Sequence, residues 1–325
     1  MNYVNFGSAG VKVSPLALGM GLRGQGDEAA AQRLIEHAID RGINLIDCAN
    51  IYGPMDDRAN IGRSEVVLGK AIHGKRDDLI ITSKAASPVG KKPNDRGTSR
   101  VHLLREIDRT LQRLATDYID VYIIHAQDET TRLEETVRAL DDIVRQGKAR
   151  YIGFSNHTAW QICRALWIAD HIHADPLICV QNPYSLLNRK LEGEMFGLVR
   201  DQGLGIMAYS PLAVGLLSGA YLPGQPAPAG SLWATRRKDW FDRAMQGQVG
   251  EVIRTLHDLA AEVGKTPAQL AIAWVLSHPE VSVAISGADT LEQLDDVLGG
   301  VGWTLDSAVR QKLDEVSAPL QMVLD

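Results

Sequence analysis

Short apolar runs alternate with longer amphipathic stretches through most of this chain, a rhythm that predicts parallel strands joined by helical crossovers. The predicted strands are 16–18, 44–47, 79–83, 118–124, 151–154, 178–180, 205–209 and 281–285. The run Ile119-Asp120-Val121-Tyr122-Ile123-Ile124 is almost continuously apolar, as a strand covered on both faces must be. Between the runs, Leu34, Ile35, Ala38 and Ile39, and likewise Leu103, Leu104, Ile107 and Leu111, recur at helical spacing. Gly42, Gly147 and Gly203 stand where such helices end. Eight strand–helix units is the count of an α/β fold of the closed (β/α)8 TIM-barrel type. A doubly wound open sheet is the alternative that periodicity leaves open, although such sheets more often have fewer strands.

Two segments fall outside the rhythm. Residues 4–13, with Ser8-Ala9-Gly10 in the middle, predict an N-terminal β-hairpin able to plug the bottom of a barrel. Residues 211 to about 250 contain Pro223-Gly224-Gln225-Pro226-Ala227-Pro228-Ala229-Gly230, too rich in proline and glycine for regular structure. This predicts a long loop after the seventh strand, on the face where barrel loops carry function. The 325 residues then form one barrel domain, 1–325. Nothing in the composition opposes that: 45% of residues are hydrophobic and 23% charged.

A net charge of −6 without long single-sign runs gives no footprint for nucleic acid. Cys48, Cys163 and Cys179 are widely spaced and show no metal-ligand pattern, so neither a disulfide framework nor a metal site is expected. No targeting segment and no membrane span are legible, which makes the cytoplasm the expected location.

In such a barrel the strand ends point at the active site, so polar residues that close apolar strands matter most. Asp47 closes the second strand, Lys84 the third and His125 the fourth; Tyr52 follows Asp47 in the loop Cys48-Ala49-Asn50-Ile51-Tyr52-Gly53. Singly, each is an ordinary strand-end or loop residue. Together they can move a proton. A phenol ionises near pH ~10, and an adjacent ammonium lowers that by stabilising the phenolate. Lys84 would supply the ammonium and Asp47 would hold it charged, while His125 would donate to a carbonyl oxygen as negative charge builds there.

These residues resemble the Asp, Tyr, Lys, His tetrad of the aldo-keto reductase superfamily, most closely its aryl-alcohol dehydrogenase-like and potassium-channel beta-subunit-like branch. The segment from Asp47 to Gly53 resembles the family's DTAxxYG motif, and Gly153-Phe154-Ser155-Asn156 its GxSN strand end. Gln181-Asn182-Pro183-Tyr184 and Tyr209-Ser210-Pro211-Leu212 resemble its QNxY and SPL segments. The resemblance implies reduction of aldehydes and ketones, or oxidation of alcohols, with NADP(H) or NAD(H). It places Ser155, Asn156 and Gln181 on the nicotinamide carboxamide and Tyr209 against the ring. Ser210, Leu212 and Gly215 would line the pyrophosphate, and Gly287, Asp289, Gln293 and Asp296 the adenosine end. Gly19 and Met20, at the end of the first strand, join the expected cofactor contacts.

The departures from the family pattern lie at the adenosine end. Ala220 follows Ser218-Gly219 where a lysine is common, and Leu232 follows Gly230-Ser231 where an arginine is common. Asp289 would repel a 2′-phosphate, and Val297 stands in place of an asparagine. NADPH selectivity is therefore expected to be weak, unless Arg236, Arg237 or Lys238 supplies the missing charge. Gly19-Met20-Gly21-Leu22-Arg23-Gly24 matches GxGxxG, the pyrophosphate loop of an open dinucleotide-binding sheet, but that reading leaves Tyr52, Lys84, His125, Gln181 and Tyr209 without a purpose.

Two other function classes fit parts of the pattern. One is a nucleotide-binding regulatory subunit with little turnover, against which His125 is retained and no long N-terminal extension is present. The other is a non-redox barrel isomerase, which gives Gln181 and Tyr209 nothing to do. The pocket is expected from residues 21–25, 54–59, 87–97 and 127–131, with Trp233 and Trp240 serving either as a substrate wall or as loop anchors. The particular small-molecule carbonyl or alcohol, and the oligomeric state, are not legible.

Overall fold

The computed structural model describes residues 1–22 and 25–318. A short antiparallel pair, β1 (Val4–Asn5) and β2 (Lys12–Val13), comes first. Eight parallel strands follow: β3 (Leu16–Gly19), β4 (Leu45–Asp47), β5 (Ile80–Ala85), β6 (Ile119–Ile124), β7 (Ala149–Ser155), β8 (Cys179–Pro183), β9 (Gly205–Tyr209) and β10 (Val281–Ser286). They pair in sequence order, and β10 returns to β3 to close the barrel. The open-sheet alternative is thereby excluded, and each predicted strand is found. Of the GxGxxG match, Gly19 ends β3, while Arg23 and Gly24 lie outside the described residues.

Helices wrap the barrel: α1 (Glu28–Asp40), α2 (Arg63–Ala71), α3 (Arg100–Leu114), α4 (Leu133–Arg145), α5 (Ala159–His171), α6 (Met195–Gln202), α7 (Lys238–Ala244), α8 (Gln248–Glu262), α9 (Pro267–Leu276), α10 (Leu291–Leu298) and α11 (Ser307–Ser317). Their apolar stripes form the larger core with the outward faces of the strands. In α3 the stripe is Leu103, Ile107 and Leu114, started by Ser99, whose Oγ accepts the His102 amide at 3.4 Å.

Alternate strand residues face inward and form a second, smaller core: Ala17, Leu45, Val121, Ile123, Cys179, Met207, Val283 and Ile285. Phe6, fully buried beneath them, is the plug. The N-terminal pair is clamped there by the Ser8 amide on Gly203 O at 2.7 Å. Gly203 ends α6 in the left-handed region at φ 65°, with Ser8 packed where a Cβ would project.

This alternation fixes where the chemistry sits. Gly19, Asp47, His125, Gln181 and Tyr209 each lie two residues beyond an inward-facing position, and Lys84 and Ser155 lie four beyond Ile80 and Tyr151, which pack against the same cluster. They form the top layer of the barrel interior, and the apolar residues below are their floor.

The stretch after β9 corrects the expectation of a loop to about residue 250. It is irregular only to 237, because α7 begins at Lys238 and α8 at Gln248. Trp233, Trp240 and Phe241 give that stretch an apolar anchor that its proline and glycine content conceals.

Candidate active site

Lys84 is completely buried, and no aliphatic barrel interior tolerates an ammonium without partners. Its Nζ donates to Asp47 Oδ2 at 2.7 Å and to Cys48 O at 2.7 Å. The other Asp47 oxygen accepts from Thr82 Oγ1 at 2.6 Å and from Gln181 Nε2 at 2.8 Å. Burial, the largest single influence, would pull the Lys84 pKa down; the charge and hydrogen bond of Asp47, joined by Tyr52 and Cys48, together outweigh it and hold the lysine above its usual value. The ammonium therefore persists at neutral pH.

That ammonium lies 3.5 Å from the Tyr52 hydroxyl, a long contact, and 4.8 Å from the ring centroid. Tyr52 meets His125 edge to face, with ring centroids 5.7 Å apart. Burial, and then the nearby Lys84 charge, push the His125 pKa down to about 3, so its imidazole is neutral in ordinary buffers. His125 Nδ1 is buried without a hydrogen-bond partner among the described residues. The three strand-end residues and the loop tyrosine thus converge.

Tyr52 depends on a loop held from several directions. The Asn50 amide donates to Lys84 O at 3.1 Å, and Asn50 Nδ2 donates to the buried Glu106 at 3.0 Å. Gly53 is needed for close approach: a Cβ there would stand 2.0 Å from Asn60 O.

On the opposite wall, Tyr209 donates to Asn156 Oδ1 at 2.7 Å, and Asn156 Nδ2 donates to His125 O at 2.8 Å and to Ser155 Oγ at 3.1 Å. The expected carboxamide contacts therefore cluster beside the tetrad. Gln181 commits its amide nitrogen to Asp47, as Asn156 commits its own to His125 O and Ser155 Oγ. Met20 is buried, and its amide donates to Asp47 O at 2.8 Å. Gly19 lies against Ile285, where a Cβ would be 2.8 Å from that side chain.

Backbone strain gathers at the same end of the barrel. Leu22, Met55, Ala86, Asn156, Ser210, Ala213 and Val214 have φ between 49° and 126°, and each follows a barrel strand. Such conformations cost about 1–3 kcal/mol apiece and persist where surrounding structure over-determines them. Ser210, Leu212 and Gly215 belong to this strained turn after β9.

At the expected adenosine end, Gly287 is exposed and open, with nothing near the position of a Cβ. The Asp289 amide donates to Gln293 Oε1 at 2.9 Å, and Asp289 O accepts from Gln25 at 3.2 Å. Asp296 Oδ1 faces the start of α9, accepting from Thr266 Oγ1 at 2.8 Å and Gln269 Nε2 at 3.0 Å. Val297 is buried in the core and Leu232 packs against it, while Ala220 is exposed. Arg236 and Lys238 are exposed, and Lys238 pairs with Asp242 at 2.5 Å. Trp233 is buried, and its Nε1 donates to Val214 O at 3.0 Å, which favours the anchor over the substrate wall.

The expected pocket loops are tied in pairs. The Met55 amide donates to Leu22 O at 2.9 Å. Asp128 accepts from the Thr98 amide at 2.8 Å, from the Thr130 amide at 2.9 Å and from Thr131 Oγ1 at 2.7 Å, bridging the loops after β5 and β6. Thr82, Glu106 and Asp128 escape a search for strand-end residues. Thr82 alone had a usable signal, standing two residues before Lys84 on the same side of β5.

An eight-stranded barrel whose mouth holds a phenol, a buried ammonium–carboxylate pair and a neutral imidazole is a barrel equipped for proton transfer. The chain belongs to the aldo/keto reductase family, whose profile matches residues 15–318. It is similar to the uncharacterized oxidoreductase YrpG of Bacillus subtilis (strain 168), 36% identical over 324 residues, 97% of this chain and 96% of that one. It is also similar to probable voltage-gated potassium channel beta subunits of Oryza sativa subsp. japonica and Arabidopsis thaliana, each 36% identical, across 90% and 93% of this chain. These matches make the chain an oxidoreductase of a family that generally uses NAD(P)H on small-molecule carbonyl compounds. Among the described residues no helix is long and apolar enough to cross a membrane.

Proposed function

We propose that this site binds a nicotinamide dinucleotide and interconverts a carbonyl compound and its alcohol, with Tyr52 as general acid and base. The reading is carried by one observation: the Tyr52 hydroxyl lies 3.5 Å from a buried ammonium that Asp47 keeps charged. When bound, the nicotinamide supplies or accepts the hydride. Tyr52 gives a proton to the developing alkoxide, and in the reverse direction takes it back. Lys84 stabilises the phenolate left behind, and Asp47, backed by Thr82 and Gln181, fixes Lys84 in place. His125, being neutral, donates one hydrogen bond to the carbonyl oxygen without placing a second positive charge beside Lys84.

The cofactor fits what the mouth offers. Asn156 and Ser155 present amide and hydroxyl groups beside Tyr209, a flat ring held at its hydroxyl. Gln181 would use its Oε1 for the carboxamide, because Nε2 is taken by Asp47. The turn at Ser210, Leu212 and Gly215 would hold the pyrophosphate; Gly19 and Met20 would border the dinucleotide where the first barrel strand ends; Gly287, Asp289, Gln293 and Asp296 would border the adenosine. Asp289 disfavours a 2′-phosphate, and Leu232 and Val297 serve packing, so NADPH selectivity is expected to be weak and NADH usable.

The test is to follow nicotinamide absorbance with both dinucleotides over a panel of aldehydes, ketones, sugars and alcohols. Turnover with at least one carbonyl compound is expected, and a large NADPH advantage would sink the selectivity reading. The relatives named as channel beta subunits favour, as second reading, a regulatory protein that binds nucleotide with little turnover. Tight dinucleotide binding with no turnover across the panel would select it.

A further inference from the structure

The segment after β9 is organised by one side chain. Trp233 is buried, lies 5.1 Å from the ring of Trp240, and donates its indole N–H to Val214 O at 3.0 Å. Tyr221 packs against Phe241 at 5.8 Å in the same segment. The Trp233 hydrogen bond joins the far part of the segment to its beginning, and what it grips there is strained. Ala213, Val214 and Gly215 follow one another at φ 49°, 55° and 87°. A β-branched residue such as Val214 is a genuine outlier in this region. The turn keeps its shape only if something holds it.

The same hydrogen bond fixes a direction. In a trans peptide the N–H points opposite to the C=O. With Val214 O turned towards the buried indole, the Gly215 N–H is turned away from it. Ala213, Leu216, Leu217 and Ser218 donate their amides inside the turn, but no backbone acceptor among the described residues takes the amides of Val214 or Gly215. Successive amides left unpaired in a left-handed turn form a concavity suited to an anion.

We propose that Trp233 is a positioning residue for the dinucleotide: its indole N–H latches Val214 O and thereby presents the Gly215 amide to the pyrophosphate. This rests on the dinucleotide reading above. The latch makes the segment after β9 and the phosphate-facing turn a single unit, so order in one sets affinity at the other.

Trp233→Phe keeps a ring against Trp240 and removes the donor. NADH binding to the full chain, measured by fluorescence, is expected to weaken by about fivefold, the scale of one hydrogen bond. The fall in kcat at saturating NADH should be smaller than the fall in affinity. Val214→Gly removes the strain, so adding Trp233→Phe to that variant should cost less than about twofold, an interaction that a merely structural tryptophan would not produce. Independently, the Gly215 amide of the unaltered protein should exchange freely with solvent and be protected by NADH. Unchanged affinity in Trp233→Phe, an undiminished loss in the Val214→Gly background, or no protection of Gly215 would each overturn the latch while leaving the dinucleotide reading intact. If the unaltered protein binds neither NADH nor NADPH, that reading fails and the latch falls with it.

Discussion

Lys84 and Asp47 are tolerable at the barrel's top layer only as a pair. Their direct contact is 2.7 Å, and both side chains are essentially shut off from solvent. Removing one partner from such a pair strands the other, at a cost of about 3–5 kcal/mol. Asp47→Ala is therefore expected to lower stability by that order, and a denaturant midpoint close to the unaltered protein's would contradict the role given to the pair. His125 gives a second prediction. Its pKa is near 6.5 in the unfolded chain and about 3 in the fold, so between those values the unfolded chain binds the extra proton. Stability is thus fully present above about pH 6.5 and declines as pH falls towards 3. Burial lowers the pKa of His157, His278 and His102 as well, adding to the same slope. The thermal midpoint should drop steadily below pH 6, and the His125 imidazole should show no titration by NMR between pH 5 and 8. An inflection near 6.5 would contradict its proposed role as a neutral donor.

At the scale of elements, the loops after the strands hold what the strands aim. Gly53 lets the Tyr52 loop fold back onto Asn60, where even a methyl group would meet Asn60 O at 2.0 Å. Gly53→Ala should displace that loop and reduce kcat by about tenfold or more, the scale of a misplaced reacting group, while NADH affinity changes far less. Steady-state rates set beside binding measurements check the split. The strands and their polar ends were legible because period-two alternation and strand-end position are local properties of a sequence. Asp47, Lys84 and His125 could be read for that reason, and the hairpin likewise from Ser8-Ala9-Gly10. What was not legible depends on neighbours distant in the chain. Nothing around Gln181 announces that Asp47 takes its amide, nothing around Asn50 announces Glu106, and Trp233 reveals its partner only once the segment after β9 has folded. In the sequence, residues 238–244 pass for irregular because nearby proline and glycine outweigh the signal of a short helix that Phe241 and Trp240 stabilise by burial.

For the whole molecule, the barrel works as a floor, a wall and a mouth. Phe6 is buried at the lower end beneath the inward-facing apolar layer, and the tetrad lies at the side of the strand C-termini. Phe6→Ala should lower stability by about 3–5 kcal/mol, the cost of emptying a buried aromatic site, and leave the rate at 25 °C near that of the unaltered protein. A denaturation curve together with a rate measurement would detect any coupling between plug and mouth. The central claim is that Tyr52 moves the proton while a nicotinamide moves the hydride, and the most direct measurement is single-turnover reduction with NADH already bound, comparing the unaltered protein with Tyr52→Phe. The account predicts a rate lower by about 100-fold or more, with NADH affinity within about threefold. Equal rates in the two proteins would contradict it.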